Sequence, residues 1–359
     1  MASSDTSEGP IAPEGALDGA ALAGYLAAAG VELAGELRSS LLVGGRSNPT
    51  YALSDGSREW ILRRPPHGHV LQSAHDMARE VRVVTALAGT PVPVPHVVAH
   101  CEDPAVLGAP FYVMDRLEGR TFRTREDTAV LAETDRAALA GALVDTLVAL
   151  HDVDPAQVGL QGWGRPDGYL QRQLARWARQ WEAVKTSERP EVGVLVERLA
   201  ATMPVSRFPG IVHGDYKVDN VMVGLDDPAR VVGVLDWELS TLGDTLSDLG
   251  LLVSFWDEVG RPFNPITAGA TAHPGFPTAD EIVESYARQR GIGVDDLDWY
   301  VVFADVKIAV VLEQIHARHL RGDTLGDGFD DIGDMVAPLL ERALDRCSRA
   351  SDAALRGVG

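Results

Sequence analysis

The chain has 359 residues, 45% of them apolar and 23% charged, and its 32 Lys and Arg against 52 Asp and Glu leave a net charge of −20. That length and apolar content predict a large core shared between two lobes. The charge has the opposite sign to the footprint that duplex nucleic acid or an anionic membrane attracts, so neither is expected as a partner.

The acidity is uneven. Residues 31–120 hold nine basic and ten acidic side chains, whereas residues 121–359 hold 23 and 38. The two cysteines, Cys101 and Cys347, lie far apart without a His-rich neighbourhood, which leaves no disulfide framework and no Cys-based zinc site. Met1 to Asp18 contains acid but no Lys or Arg, against a secretory or transit peptide. No apolar run is long enough to span a bilayer, and a cytoplasmic protein is expected.

In chain order, residues 1–16 are rich in Ser, Gly, Pro and acid and read as a mobile tail. An Ala/Leu helix is predicted over Leu17–Ala29, then strands over Leu37–Val43, Thr50–Leu53 and Trp60–Arg64, with Asp55-Gly56 turning the second into the third. A helix over Gln72–Leu87 precedes two further strands, Val94–His100 and Phe111–Asp115. Leu117–Arg120 is the expected hinge. Long helices follow over Thr134–His151, Tyr169–Val184, Ala279–Gln289, Trp299–His319 and Asp331–Arg349, around one non-helical island, Ile211–Asp236.

The island carries the chemistry. It reads Ile211-Val212-His213-Gly214-Asp215-Tyr216-Lys217-Val218-Asp219-Asn220, then a β-branched strand ending at Asp236. Phosphoryl transfer from a nucleotide needs one carboxylate to orient and deprotonate an acceptor hydroxyl, and an amide and a second carboxylate to hold magnesium against the phosphates. Asp215, Asn220 and Asp236 supply those groups, and the Asp215-to-Asn220 spacing equals that of the protein-kinase catalytic loop. A lone His-Gly-Asp also fits a tight turn or a metallophosphoesterase site, but no later Gly-Asn-His segment completes a two-metal hydrolase.

With these motifs the sequence resembles the aminoglycoside phosphotransferase and choline kinase branch of the kinase-like fold. Within that branch it looks most like the phosphotransferases related to the kinase-like half of certain acyl-CoA dehydrogenase fusion proteins. The matching segments are Gly44–Tyr51, Trp60–Pro66, Phe111–Gly119, His213–Val223 and Leu235–Gly250. The resemblance implies an α+β, two-lobed protein-kinase-like fold. Residues 17–117 would form a small five-stranded antiparallel N-lobe, and residues 118–359 a largely helical C-lobe. ATP and Mg2+ would be the cofactors, Asp215 the catalytic base, and Asn220 and Asp236 the metal ligands.

In the N-lobe, the resemblance has Ile61 covering the adenine and Arg63, where kinases usually carry Lys, reaching the phosphates. Glu80 would hold Arg63, with Arg64, Arg79 and Arg82 as competitors for pairing. The loop Gly44-Gly45-Arg46-Ser47-Asn48 departs from Gly-x-Gly-x-x-Gly but still offers backbone amides, with Ser47 and Asn48, to phosphate; a plain hairpin turn explains the same residues. Met114 would line the back of the adenine pocket or simply pack in the core. The carbonyl of Asp115 and the amide of Leu117 would meet the adenine edge.

Around the catalytic loop, His213 is expected to fix the loop through its ring hydrogen bonds. Lys217 neutralises a phosphoryl group or is a solvated loop residue. Asp244 is expected as a helix cap, and Asp248 as the brace that accepts loop amides from behind. Glu238 reaches metal or substrate in one reading and neither in the other.

The partner expected is a small-molecule hydroxyl acceptor. Gly162–Tyr169 is either a lid or a loop anchored by its aromatics, and Tyr169, Arg172, Arg176 and Arg179 make a basic stripe that would meet the phosphates of a coenzyme A ester or pair with carboxylates. Three readings stand: a hydroxyacyl-CoA or hydroxy-acid kinase, a kinase of aminoglycosides or other cationic alcohols drawn by the acidic C-lobe, and a nucleotide-binding pseudokinase scaffold. Only twelve positions separate Asp236 from Asp248, too few for a protein-kinase activation segment.

Overall fold

The computed structural model describes residues 17–42, 48–65, 77–260, 264, 266–324, 329–350 and 353–357. The tail, Ser47 with the rest of 43–47, and the first residues of the helix expected from Gln72 lie outside the described residues. The chain divides into a smaller unit, residues 1–88 and 95–117, and a larger one, residues 89–94 and 118–359.

The smaller unit holds α1 (Gly19–Ala28), β1 (Arg38–Leu41), β2 (Thr50–Ser54), β3 (Glu59–Arg63), α2 (Met77–Leu87), β4 (Val97–Cys101), α3 (Pro104–Leu107) and β5 (Phe111–Asp115). Its strands form one antiparallel five-stranded sheet in the order β1-β2-β3-β5-β4. Period-two alternation sorts the side chains. Trp60 and Leu62 of β3 and Phe111 and Val113 of β5 pack with Leu22 and Leu26 of α1. Their neighbours Ile61, Tyr112 and Met114 turn to the opposite face, against Met77 and Val81 of α2. The fourth strand begins at Val97, three residues later than its sequence suggests: Pro95 has no amide to give a ladder, and the Pro93 carbonyl is taken by the Val234 amide at 2.8 Å.

The larger unit continues with α4 (Arg125–Ala129), α5 (Glu133–Asp152), α6 (Tyr169–Val184), α7 (Pro190–Ala201), β6 (Pro209–Val212), β7 (Val221–Val223), β8 (Val231–Val234), β9 (Thr241–Asp244), α8 (Leu246–Ser254), α9 (Ala279–Arg290), α10 (Leu297–Leu320), α11 (Val336–Arg349) and α12 (Ala353–Arg356). Two antiparallel strand pairs, β6-β9 and β7-β8, sit among these helices. Helix α10 is the central element, packed on α8, α6, α7 and α11. Its approach to α8 is close enough that a Cβ at Gly250 would lie 2.7 Å from the backbone of Tyr300. The helix expected from Asp331 becomes α-helical only at Val336, because Pro338 fits a first helical turn and not an interior one.

Candidate active site

After β6 the chain forms a polar loop, His213 to Lys217, a single 3-10 turn, Val218–Asn220, and then β7. Asp248, in the first turn of α8, is fully buried behind this loop. It accepts the backbone amides of His213 at 2.6 Å and Gly214 at 2.8 Å, and meets Nε2 of His151 at 3.3 Å. This is the bracing role its sequence position suggests. Burial keeps the His151 ring neutral, so Nε2–H donates to Asp248 while Nδ1 accepts from the Tyr286 hydroxyl at 2.7 Å. Burial opposes the charge on Asp248, but the His151 hydrogen bond and the Gly214 amide outweigh it and hold the carboxyl below its ordinary value.

Gly214 has φ of 85°, and a Cβ there would lie 2.7 Å from the Leu239 carbonyl oxygen, so no other residue fits. The buried His213 ring donates from Nε2 to the Leu235 carbonyl at 2.9 Å and accepts the Asp215 amide at Nδ1 at 3.1 Å. Burial keeps this ring neutral too. Both nitrogens are engaged with backbone, so the ring fixes the loop. Asp244 ends β9 and does not occupy the cap position, which belongs to Thr245; it still accepts the Leu246 amide at 3.1 Å, and the Tyr300 hydroxyl at 2.8 Å.

Asp215 leaves the loop with its side chain 25% exposed. Its Oδ2 receives Asn220 Nδ2 at 2.9 Å and the Lys217 ammonium. Asn220 Nδ2 also donates to the Asp215 carbonyl at 2.8 Å, which leaves Asn220 Oδ1 without a hydrogen bond among the described residues. The Leu235 amide donates to the Asn220 carbonyl at 2.8 Å, so Asp236 follows beside that turn. Asp236 has φ of 64°, a left-handed conformation held by the 3-10 turn after it. Burial opposes the charge of Lys217, but Asp215, Asp219 and Asp236 outweigh it and push its pKa up to about 12. At 7% exposure Lys217 is not a solvated loop residue. Asn220 Oδ1 and the Asp236 carboxylate are hard oxygen donors, a set that fits magnesium, which completes its shell with water and phosphate oxygens.

In the smaller unit, Arg63 Nη1 pairs with Glu80 Oε2 at 3.1 Å. Glu80 is buried and also accepts from the Tyr112 hydroxyl at 2.8 Å and from Asn48 Nδ2 at 3.4 Å. Arg64 points elsewhere, to the Leu107 carbonyl at 3.0 Å. Ile61 is the register partner of Met114, and both lie on the Arg63 face of the sheet. Asp115 ends β5 with its amide on the His96 carbonyl at 2.9 Å, and Leu117 follows, half-buried. The expected phosphate and adenine groups thus share one sheet face or one strand end, apart from Ser47, which lies outside the described residues.

The aromatics of the 162–169 segment anchor it. Trp163 and Tyr169 are buried, and a Cβ at Gly164 would lie 2.8 Å from the Leu242 amide nitrogen of β9. The basic stripe does not survive folding as a unit: Tyr169 is buried, and Arg172 turns back to the carbonyls of Asp167 and Arg165. One residue not singled out from the sequence stands beside the loop. Lys307 of α10 donates to the Gly214 carbonyl, and burial depresses its pKa to about 8. The signal for it was a lysine within the apolar run 301–312, where Asp305 is the only other charge.

Residues 40–282 match the phosphotransferase enzyme family. The chain belongs to this family. It is 35% identical over 329 residues to acyl-CoA dehydrogenase family member 11 of Gallus gallus, covering 89% of this chain but 41% of that protein, so it spans about two fifths of the length of that relative. A candidate aminoglycoside phosphotransferase from Ralstonia eutropha superposes with a TM-score of 0.81 at 31% identity, over 94% of this chain and all of the other. An aminoglycoside phosphotransferase solved with AMP-PNP and hygromycin B shares the fold at TM-score 0.56 and 18% identity, over 89% of this chain and 93% of that one. The protein is therefore a kinase-type phosphotransferase, with the α+β kinase-like fold that its sequence implies.

Proposed function

We propose that this phosphotransferase moves the γ-phosphate of ATP to the hydroxyl of a hydroxyacyl-CoA or a hydroxy acid. The observation that carries the reading is the state of Asp215. Its Oδ2 is occupied by Asn220 and Lys217, while Oδ1 accepts no hydrogen bond among the described residues. Oδ1 is the atom left to orient an acceptor hydroxyl and take its proton as the oxygen attacks the γ-phosphorus and ADP departs. Lys217, held charged beside it, offsets negative charge on the transferred group. Asn220 and Asp236 would hold magnesium, which draws charge from the phosphates when bound. Arg63, fixed by Glu80, together with Ser47, Asn48, Ile61, Met114, Asp115 and Leu117, would bind the nucleotide.

Support for ATP comes from the AMP-PNP complex of the solved relative, and support for an acyl acceptor from the relatives named acyl-CoA dehydrogenase family members. A second reading, a cationic amino alcohol such as an aminoglycoside, is favoured by the excess of acid over residues 121–359. The test is ATP consumption by the purified chain with hydroxyacyl-CoAs, hydroxy acids and aminoglycosides. Asp215→Asn should lower turnover about a thousandfold and leave nucleotide binding largely intact. Turnover equal to the wild type would remove Asp215 from the chemistry.

A further inference from the structure

Two cations of the larger unit meet on one aromatic ring. Lys307 of α10 and Arg176 of α6 both pack on the indole of Trp177, with Nζ 5.7 Å and the guanidinium carbon 5.1 Å from the ring centre. Neither makes an ion pair with a carboxylate among the described residues, and Lys307 spends one hydrogen bond on the Gly214 carbonyl, next to Asp215 in the chain. Burial lowers the pKa of both groups; at Lys307 the charges of Asp215 and Asp248 offset part of that effect, and those of Arg176 and Lys217 add to it. Both are half-buried, and two like charges beside one indole carry a desolvation cost that apolar side chains in the same space would not. A cavity of about 20 Å³, room for one water or one ligand oxygen, opens at Lys307 between Tyr169, Gln173, Trp177, Gly214 and Ser247.

We infer that Lys307, with Arg176 on the same indole adding positive charge, forms the subsite for an acyl oxygen of the acceptor, and so selects an acyl substrate over a cationic amino alcohol. This rests on the reading of Asp215 as the base. The spacing fits a short acyl chain. Lys307 donates to the carbonyl of Gly214, and adjacent residues are about 3.8 Å apart, so an acyl oxygen accepting another Lys307 N–H lies a few bonds from a hydroxyl placed at Asp215. The phosphates of coenzyme A, at the end of a long arm, lie too far from that hydroxyl to reach the same point. The acyl oxygen has two sources, the carboxylate of a free hydroxy acid and the thioester carbonyl of its coenzyme A ester. The subsite also bears on the charge argument, because the acid of residues 121–359 need not face the acceptor where these two cations do.

The experiment uses the full chain and compares Lys307→Met, Arg176→Met and Lys307→Arg with Arg318→Met, an exposed arginine on the helix of Lys307. KM and kcat are measured for a free hydroxy acid, its coenzyme A ester and kanamycin, and the free acid is titrated calorimetrically into each protein. Both methionine variants at the proposed subsite should raise the KM of the acyl acceptor about ten- to hundredfold, with Lys307→Arg recovering most of the loss and Arg318→Met causing none. A loss for the free acid identifies the carboxylate as the bound group; a loss confined to the ester identifies the thioester carbonyl. If KM and binding for every acyl compound stay within about twofold of the wild type while Asp215→Asn abolishes turnover, the subsite is wrong and the kinase reading stands. If the wild type neither turns over nor binds any acyl compound, the acyl acceptor class fails and the subsite with it.

Discussion

Asp248 touches no reacting atom, yet its two oxygens gather the amides of His213 and Gly214 and the ring of His151. Asp248→Asn keeps the shape but offers one acceptor oxygen where the carboxylate has two, and turns an N–H₂ toward a backbone donor. The expected outcome is a loss of about 2–4 kcal/mol of stability in urea unfolding, with the loop carrying Asp215 loosened. The candidate site residues Asp215, Asn220 and Asp236 were legible because loop chemistry is written in residue types at short spacing. Lys307 was not, because its importance comes from a carbonyl 93 positions earlier in the chain.

At the scale of elements, the β2–β3 hairpin makes a pH prediction. Asp55 accepts the amides of Ala34, Arg58 and Ser57 at 2.9, 2.7 and 2.8 Å, and these bonds lower its pKa to about 2. A carboxyl with a depressed folded pKa stabilises the fold above its unfolded value, near 4, and loses that contribution as pH falls through about 2. Unfolding curves of wild type and Asp55→Asn should therefore differ at pH 6 and converge toward pH 2. In the same unit, Glu80 ties α2 to β3 and β5 through Arg63 and Tyr112. Glu80→Ala frees Arg63 from its station, and a fluorescent-nucleotide titration should show ATP affinity down about tenfold.

Elements were readable where pattern is local. The α6 helix has one apolar stripe, Leu170, Leu174, Trp177 and Trp181, and its limits match those expected from sequence. Helix α8 was expected only through the cap placed at Asp244, and strand β9 was not expected. Every residue of α8 is buried, so it shows no polar face and no 3.6-residue period. Strand β9 is four residues long, contains Gly and Asp, and exists because Ile211 pairs with Leu242 across 30 intervening residues.

The whole molecule carries 20 more acidic than basic side chains, and this repulsion is long-ranged. Screening should therefore raise the thermal midpoint between about 10 mM and 0.5 M salt, where the Debye length falls from about 30 Å to under 8 Å. A midpoint that falls over this range would show that ion pairs such as Arg342–Asp305 outweigh the repulsion.

The sequence by itself determined the fold class, the loop proposed for phosphoryl transfer and the placing of the acid after residue 120, because periodicity, motif spacing and net charge are properties of the chain alone. Tertiary structure decided which cations gather on Trp177. The sequence stripe over 169–179 is broken by the burial of Tyr169 and the turning back of Arg172, while Arg176 and Lys307, from helices distant in the chain, meet on Trp177. Packing brings such groups together through apolar neighbours, and a linear pattern of charges does not encode which of them will share a ring.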